Sequence, residues 1–128
     1  MSYHFTTTLS GDFDAAIDKV TEALKEKGFG VLTTIDVKAT LKAKIGADFQ
    51  PYTILGACNP GFAHKALQAE NKIGTMLPCN VVVQQLPSGE IEVSAVDPLA
   101  SMQAIDNADL GAIASEVQSL LKQVIEGL

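Results

Sequence analysis

The sequence is poor in what most function classes require. Among 128 residues there are only two cysteines, and nine basic residues face fifteen acidic ones, a formal net charge of −6. An acidic chain without a basic patch or stripe does not fit duplex nucleic-acid binding, which depends on cations meeting phosphates. No run approaches the roughly 18 apolar residues that cross a bilayer, so no membrane partner is expected. The opening MSYHFTTTLSGDFD lacks a charged segment followed by an apolar one, and no secretory signal is expected. Two cysteines in such a chain are expected to stay reduced, in the cytoplasm. Internal repeats, low-complexity stretches and interdomain linkers are absent, as are the G-x-x-x-x-G-K-[ST], H-E-x-x-H, G-x-S-x-G and EF-hand patterns. Gly28-Phe29-Gly30 precedes a strand instead of following one, so it is no dinucleotide fingerprint.

What is present suits one packed core. A content of 47% hydrophobic and 19% charged residues is that of a globular domain, not a disordered chain. A chain of this length buries roughly two-thirds of its extended surface on folding, enough to stand without metal or disulfide. Residues 1–128 therefore read as a single domain. Tyr3 to Thr8, aromatic and β-branched, predicts a strand. Asp12 predicts the cap of a helix that turns Phe13, Ala16, Ile17, Val20, Ala23 and Leu24 to one side at steps of three and four. Gly28 supplies a left-handed helix end, and Val31 to Ile35 the next strand. Asp36 caps a short helix running to Ile45, which Gly46 ends. Tyr52 to Ala57 is the third strand. Asn59 then caps a third helix with Pro60 in first place, where a missing N–H costs nothing.

Val81 to Leu86 and Ile91 to Val96 form a hairpin through Pro87-Ser88-Gly89. Asp97-Pro98 opens a short helical turn, and Asn107 or Asp109 caps a last helix with Leu110, Ile113, Ala114, Val117, Leu120, Leu121 and Val124 inward. The order βαβαβαββ followed by a C-terminal helix predicts an α+β fold. It is a single-domain two-layer sandwich, a mixed β-sheet with helices packed on it.

Chemistry-bearing residues gather between Tyr52 and Val83. Each cysteine has an asparagine and a proline beside it: Cys58-Asn59-Pro60 and Pro78-Cys79-Asn80. The ends of strands are where ligands collect in α/β proteins. Cys58 ends a strand just before a helix N-terminus, whose partial positive charge stabilises a thiolate. The plainer alternative is a small buried cysteine filling the strand–helix junction. A crossover helix between the third and fourth strands makes them parallel. Cys58 and Cys79 then stand on the order of 15 Å apart, beyond the ~7 Å between Cα atoms that a disulfide spans. Only an antiparallel return brings the two together, and a bridge between subunits stays open.

His4 and His64 add two imidazoles, but no C-x2-C or H-x3-H spacing is present, so neither a metal nor another cofactor is expected. His64 lies off the face formed by Phe62, Ala63, Ala66 and Leu67, towards solvent or over the helix start towards Cys58. Glu70 continues the inner stripe and needs backbone or cationic partners there. Lys38 and Lys42, one turn apart with Lys44 nearby, read as a solvated face, with attraction of an anion as the alternative.

The segments KGFGVLTTIDVKATLKAKIG, YTILGACNPGFAHKALQAENKIG and LPCNVVVQ, with the later VDPLASM, resemble the signature blocks of the DUF302 domain family. These are small bacterial and archaeal proteins of unassigned function. The likeness runs over essentially the whole chain, with no departure at the two cysteine blocks. It implies an α+β domain that forms a homodimer, and it brings no substrate, cofactor or catalytic residue with it. The resulting expectation is a dimeric ligand- or partner-binding module, its site formed by Cys58, Asn59, His64, Cys79 and Asn80. The asparagines would offer amide donors and acceptors and the thiols soft ligands. The alternatives are a thiol-based redox or transfer protein using Cys58, a haem- or metal-binding module, and a purely structural dimer.

Overall fold

The computed structural model describes residues 2–128. Strands and helices follow in the order β1 (His4–Leu9), α1 (Phe13–Glu26), β2 (Gly30–Asp36), α2 (Val37–Ile45), β3 (Tyr52–Cys58), α3 (Pro60–Ala69), β4 (Cys79–Gln85), β5 (Ile91–Val96), α4 (Pro98–Ser101) and α5 (Ala108–Glu126). A single 3-10 turn, Ile73–Met76, separates α3 from β4. The helix starts are set by short polar side chains. Asp12, Asp36, Asn59, Asp97 and Asn107 each accept a hydrogen bond from a backbone N–H two or three residues on, each cap contributing typically ~1 kcal/mol. Gly46 ends α2 at φ 66°, in the left-handed region that favours glycine.

The strands form one sheet in the order β1-β5-β4-β3-β2, and every neighbouring pair is antiparallel. The two-layer α+β architecture is as expected, but the mixed sheet is not. A helix between two strands makes them parallel only when it carries the chain back to the starting end of the sheet. Two of the three intervening helices do not. No residue of α2 is buried, so it is a connector at one end of the sheet and joins the antiparallel neighbours β2 and β3. Helix α3 and its 3-10 turn stay at the opposite end, returning the chain into β4 beside β3. Only α1 makes a true crossover, carrying the chain between the sheet edges β1 and β2, which point the same way.

One face of the sheet is covered by α1 and α5. Val20 and Leu24 from α1 and Leu121, Val124 and Ile125 from α5 meet Leu55, Val81, Val83, Ile91 and Val93. Each fully buried Leu, Ile or Val contributes roughly 1.5–3 kcal/mol. A smaller cluster of Ala66, Ile73 and Leu110 ties α3 and the 3-10 turn to the start of α5, and Ile113 packs against both clusters. Asn107 Nδ2 donates to the Ala69 carbonyl at 2.9 Å, and Gln118 Nε2 donates to both Asp97 carboxylate oxygens at 3.0 and 3.1 Å. These bonds fasten α3 and α4 to α5. Among the described residues no helix layer covers the other face of the sheet. No described helix is long and apolar enough to cross a membrane.

Candidate functional site

Three strand ends meet at one end of the sheet. β3 ends there at Cys58, β4 begins at Cys79, and β5 runs out into Asp97-Pro98. The β3–β4 register sets Ala57 opposite Cys79, so Cys58 lies one residue past its neighbour's partner. The expected separation of the cysteines, based on parallel strands, is therefore overturned: the antiparallel return brings them to the same end. Both are free thiols.

Local sequence fixes this junction. Asn59 Oδ1 accepts from the Phe62 N–H at 3.3 Å, which starts α3 directly after Cys58, with Pro60 in its first turn. Gly56 lies in β3 where a Cβ would collide with Thr33 Oγ1 and stand 2.7 Å from Pro78 Cγ. The absence of a side chain lets the cis Leu77–Pro78 segment lie close over β3. At Gly28 (φ 86°) a Cβ would stand 2.9 Å from Asn59 Nδ2, so the turn after α1 is held against the α3 cap.

Behind the thiols a cavity of about 40 Å³ runs between the sheet end, α3 and α5. Cys58, Asn59 and Cys79 line it together with the apolar side chains of Phe29, Phe62, Met102 and Ile113. No charged side chain lines it. The volume exceeds the ~10–15 Å³ that one water requires and is far below the ~300–1,000 Å³ of sites that enclose a drug-sized ligand. Burial first, and the nearby Cys58 charge second, push the Cys79 thiol from 9.0 up to about 11. Cys79 is therefore a neutral thiol at physiological pH. Cys58 is half-buried and the more accessible of the two. Among the described residues no three His, Cys, Asp or Glu side chains converge; the donors here are two sulfurs and the Asn59 amide.

The five residues singled out in the sequence divide three ways. Cys58, Asn59 and Cys79 share the cavity. His64 is exposed on α3 and does not line it. Asn80 follows Cys79 in β4, and strand alternation turns it to the uncovered face. There it borders a concavity of about 310 Å³ with Tyr3, His4, Tyr52, Glu92 and Ser94. Glu70 is satisfied by backbone, its Oε2 accepting from the Lys72 N–H at 3.4 Å. Lys38, Lys42 and Lys44 are exposed as expected, with Lys42 paired to Asp48 at 3.0 Å.

The polar groups of the uncovered face were not anticipated. His4 Nδ1 and Thr6 Oγ1 are 2.6 Å apart and Thr6 and Ser94 hydroxyls 2.9 Å apart. Gln50 Nε2 donates to Gln84 Oε1 at 2.6 Å, and Gln84 Nε2 to Glu92 Oε1 at 3.3 Å. The period-two pattern of N-V-V-V-Q and I-E-V-S-A-V carries a signal for them, but the strand order is needed to bring the rows together.

Three comparisons bear on this arrangement. The family model for a domain of unknown function, DUF302, matches residues 5–128. A crystal structure of an uncharacterized conserved protein DUF302 from Bacillus stearothermophilus is 31% identical, covers 98% of each chain and superposes with a TM-score of 0.90. No curated protein matches.

Proposed function

Because this chain belongs to the DUF302 family, whose function is unknown, its role must be read from its own residues, and we propose that it is a dimeric binding module of the cytoplasm. Its site is the cavity at Cys58, Asn59 and Cys79. The ligand contributes a small apolar or thiol-seeking group to the cavity, with a polar part held outside by the Asn59 amide. The observation that carries this reading is that both thiols line one apolar hollow, in a protein interior where close packing normally leaves few voids larger than water. Asn80 and His64 are outside this hollow and would contact at most the exposed portion of a ligand.

The reading is tested by thermal unfolding with small apolar probes, beginning with xenon under pressure. A ligand present at a hundred times its Kd adds about 2.7 kcal/mol, a shift of several degrees for a domain of this size. The shift is expected in the wild type and absent in Ala63→Leu, which fills the cavity. A wild type indifferent to every probe that fits would sink the idea.

The paired positions of the thiols favour a second reading, a redox or transfer protein in which Cys58 is the attacking thiolate. It requires Cys58 to be alkylated in the folded protein below pH 7, followed cysteine by cysteine with mass spectrometry. A Cys58 that stays unmodified until the chain unfolds excludes that reading.

A further inference from the structure

We propose that the uncovered face of the sheet is where two copies of this chain meet, sheet against sheet about a two-fold axis; this rests on the dimeric part of the reading above and assigns it a surface. Register and alternation define that face. One row across it is Thr6, Ser94, Val82, Ile54 and Ile35, from edge to edge. A second holds Thr8, Glu92, Gln84 and Tyr52. The aliphatic part of the face, Val82, Ile54 and Ile35, thus runs from the central strand β4 to the β2 edge, with hydroxyl and amide groups on the side of β5 and β1. Tyr3 is 70% exposed at one margin, and Phe49, 43% exposed, lies against Tyr52 at another, their rings 5.9 Å apart.

Charge selects the occupant. None of the nine basic residues of the chain lies in a strand, and the only carboxylates in strands are Asp36 and Glu92. Only Glu92 belongs to these rows, accepting from Gln84. A partner chosen by opposite charge would require a charged surface here; the charged residues lie instead in the helices and loops. Depletion of charge and enrichment in tyrosine mark the centres of protein interfaces, and both tyrosines of the chain border this face. A two-fold interface must in addition complement itself. Hydroxyls and amides do so because each both donates and accepts, and an aliphatic row matches its own copy.

Size agrees as well. Strands about 4.8 Å apart, rising about 3.3 Å per residue, give five strands of six residues a projected footprint of roughly 500 Å². The corrugation of side chains and the marginal Tyr3 and Phe49 bring it towards the ~800 Å² per partner of a standard interface. Two such faces stack about 10 Å apart at roughly −30°. The concavity beside His4, Tyr52 and Asn80 then becomes an enclosed space between the copies.

Sedimentation equilibrium of the wild type, Ile54→Lys and Ser94→Arg tests this, with circular dichroism confirming that each variant is folded. Ile54 and Ser94 are both only half-buried in the single chain, so a long cation there can reach solvent when the face is free. The expected result is a wild type at twice the 13.5 kDa chain mass and folded variants at the single-chain mass. Ile45→Lys, at an exposed position on α2, is expected to remain dimeric. A monomeric wild type overturns both the dimer and its surface. A dimer that survives both face substitutions overturns the surface alone and leaves the dimer standing.

Discussion

Cys79 shows what burial does to a single ionisable atom. Its thiol ionises near 9.0 in the unfolded chain and near 11 in the folded one. Below pH 9 both states keep the proton and stability is unaffected. Between pH 9 and 11 the unfolded chain releases it first, so folding loses roughly 2–3 kcal/mol over that window. Urea unfolding of the wild type and Cys79→Ala at pH 8 and pH 11 measures this. The variant is less stable at pH 8, having lost buried volume, and the gap between the two is expected to shrink at pH 11. At this scale the sequence was a fair guide to chemistry and a poor one to position. Cys58 and Cys79 could be singled out because each thiol has an asparagine and a proline beside it at the end of an apolar run, and Asn59 because it caps the helix after Cys58. His64 and Asn80 were grouped with them only because they are close in sequence, and helix and strand geometry turned both elsewhere.

Among the elements, the β3–β4 pair depends most on one residue. A methyl group at Gly56 meets Thr33 on one side and Pro78 on the other. Gly56→Ala is expected to cost about 1–3 kcal/mol by overpacking, measured by chemical denaturation. Adding Thr33→Gly should recover only part of the loss, because Pro78 remains. Helix starts were legible from sequence because an Asp or Asn cap acts over two or three residues: Asp12, Asp36, Asn59, Asp97 and Asn107 all do so. Strand directions were not, because they depend on where a helix leaves the chain, which is decided by packing across the molecule. The sequence VKATLKAKI has a weak apolar stripe and buries nothing. In retrospect that is the sign of a connector instead of a crossover. The 3-10 turn at Ile73–Met76, absent from the sequence reading, is what returns the chain to the same end.

At the scale of the whole molecule, α5 joins everything that the sheet does not. It covers the sheet with Leu121, Val124 and Ile125, anchors α3 through Asn107 and α4 through Gln118, and sends Ile113 into both hydrophobic clusters. The two clusters are therefore expected to unfold together. Far-ultraviolet circular dichroism and tyrosine fluorescence should give one coincident transition, and Leu121→Ala should move both by the same 2–5 kcal/mol that truncating a buried leucine typically costs. Separate midpoints would mean that the end of the sheet bearing the cavity melts independently.

The sheet order also bears on the time in which the protein is made. β1 pairs with β5 alone, His4 opposite Val96 and Leu9 opposite Ile91. Translation runs from the N- to the C-terminus, so of these five strands the first made is the one whose only partner among them is the last made. β2, β3 and β4 can associate, and β4 and β5 can close their hairpin, while His4–Leu9 still waits at the far end of the nascent chain. Through most of its synthesis this protein carries a solitary strand in search of a neighbour, with Phe5 and Leu9 still uncovered, the interval in which a holding chaperone would be of greatest use to it.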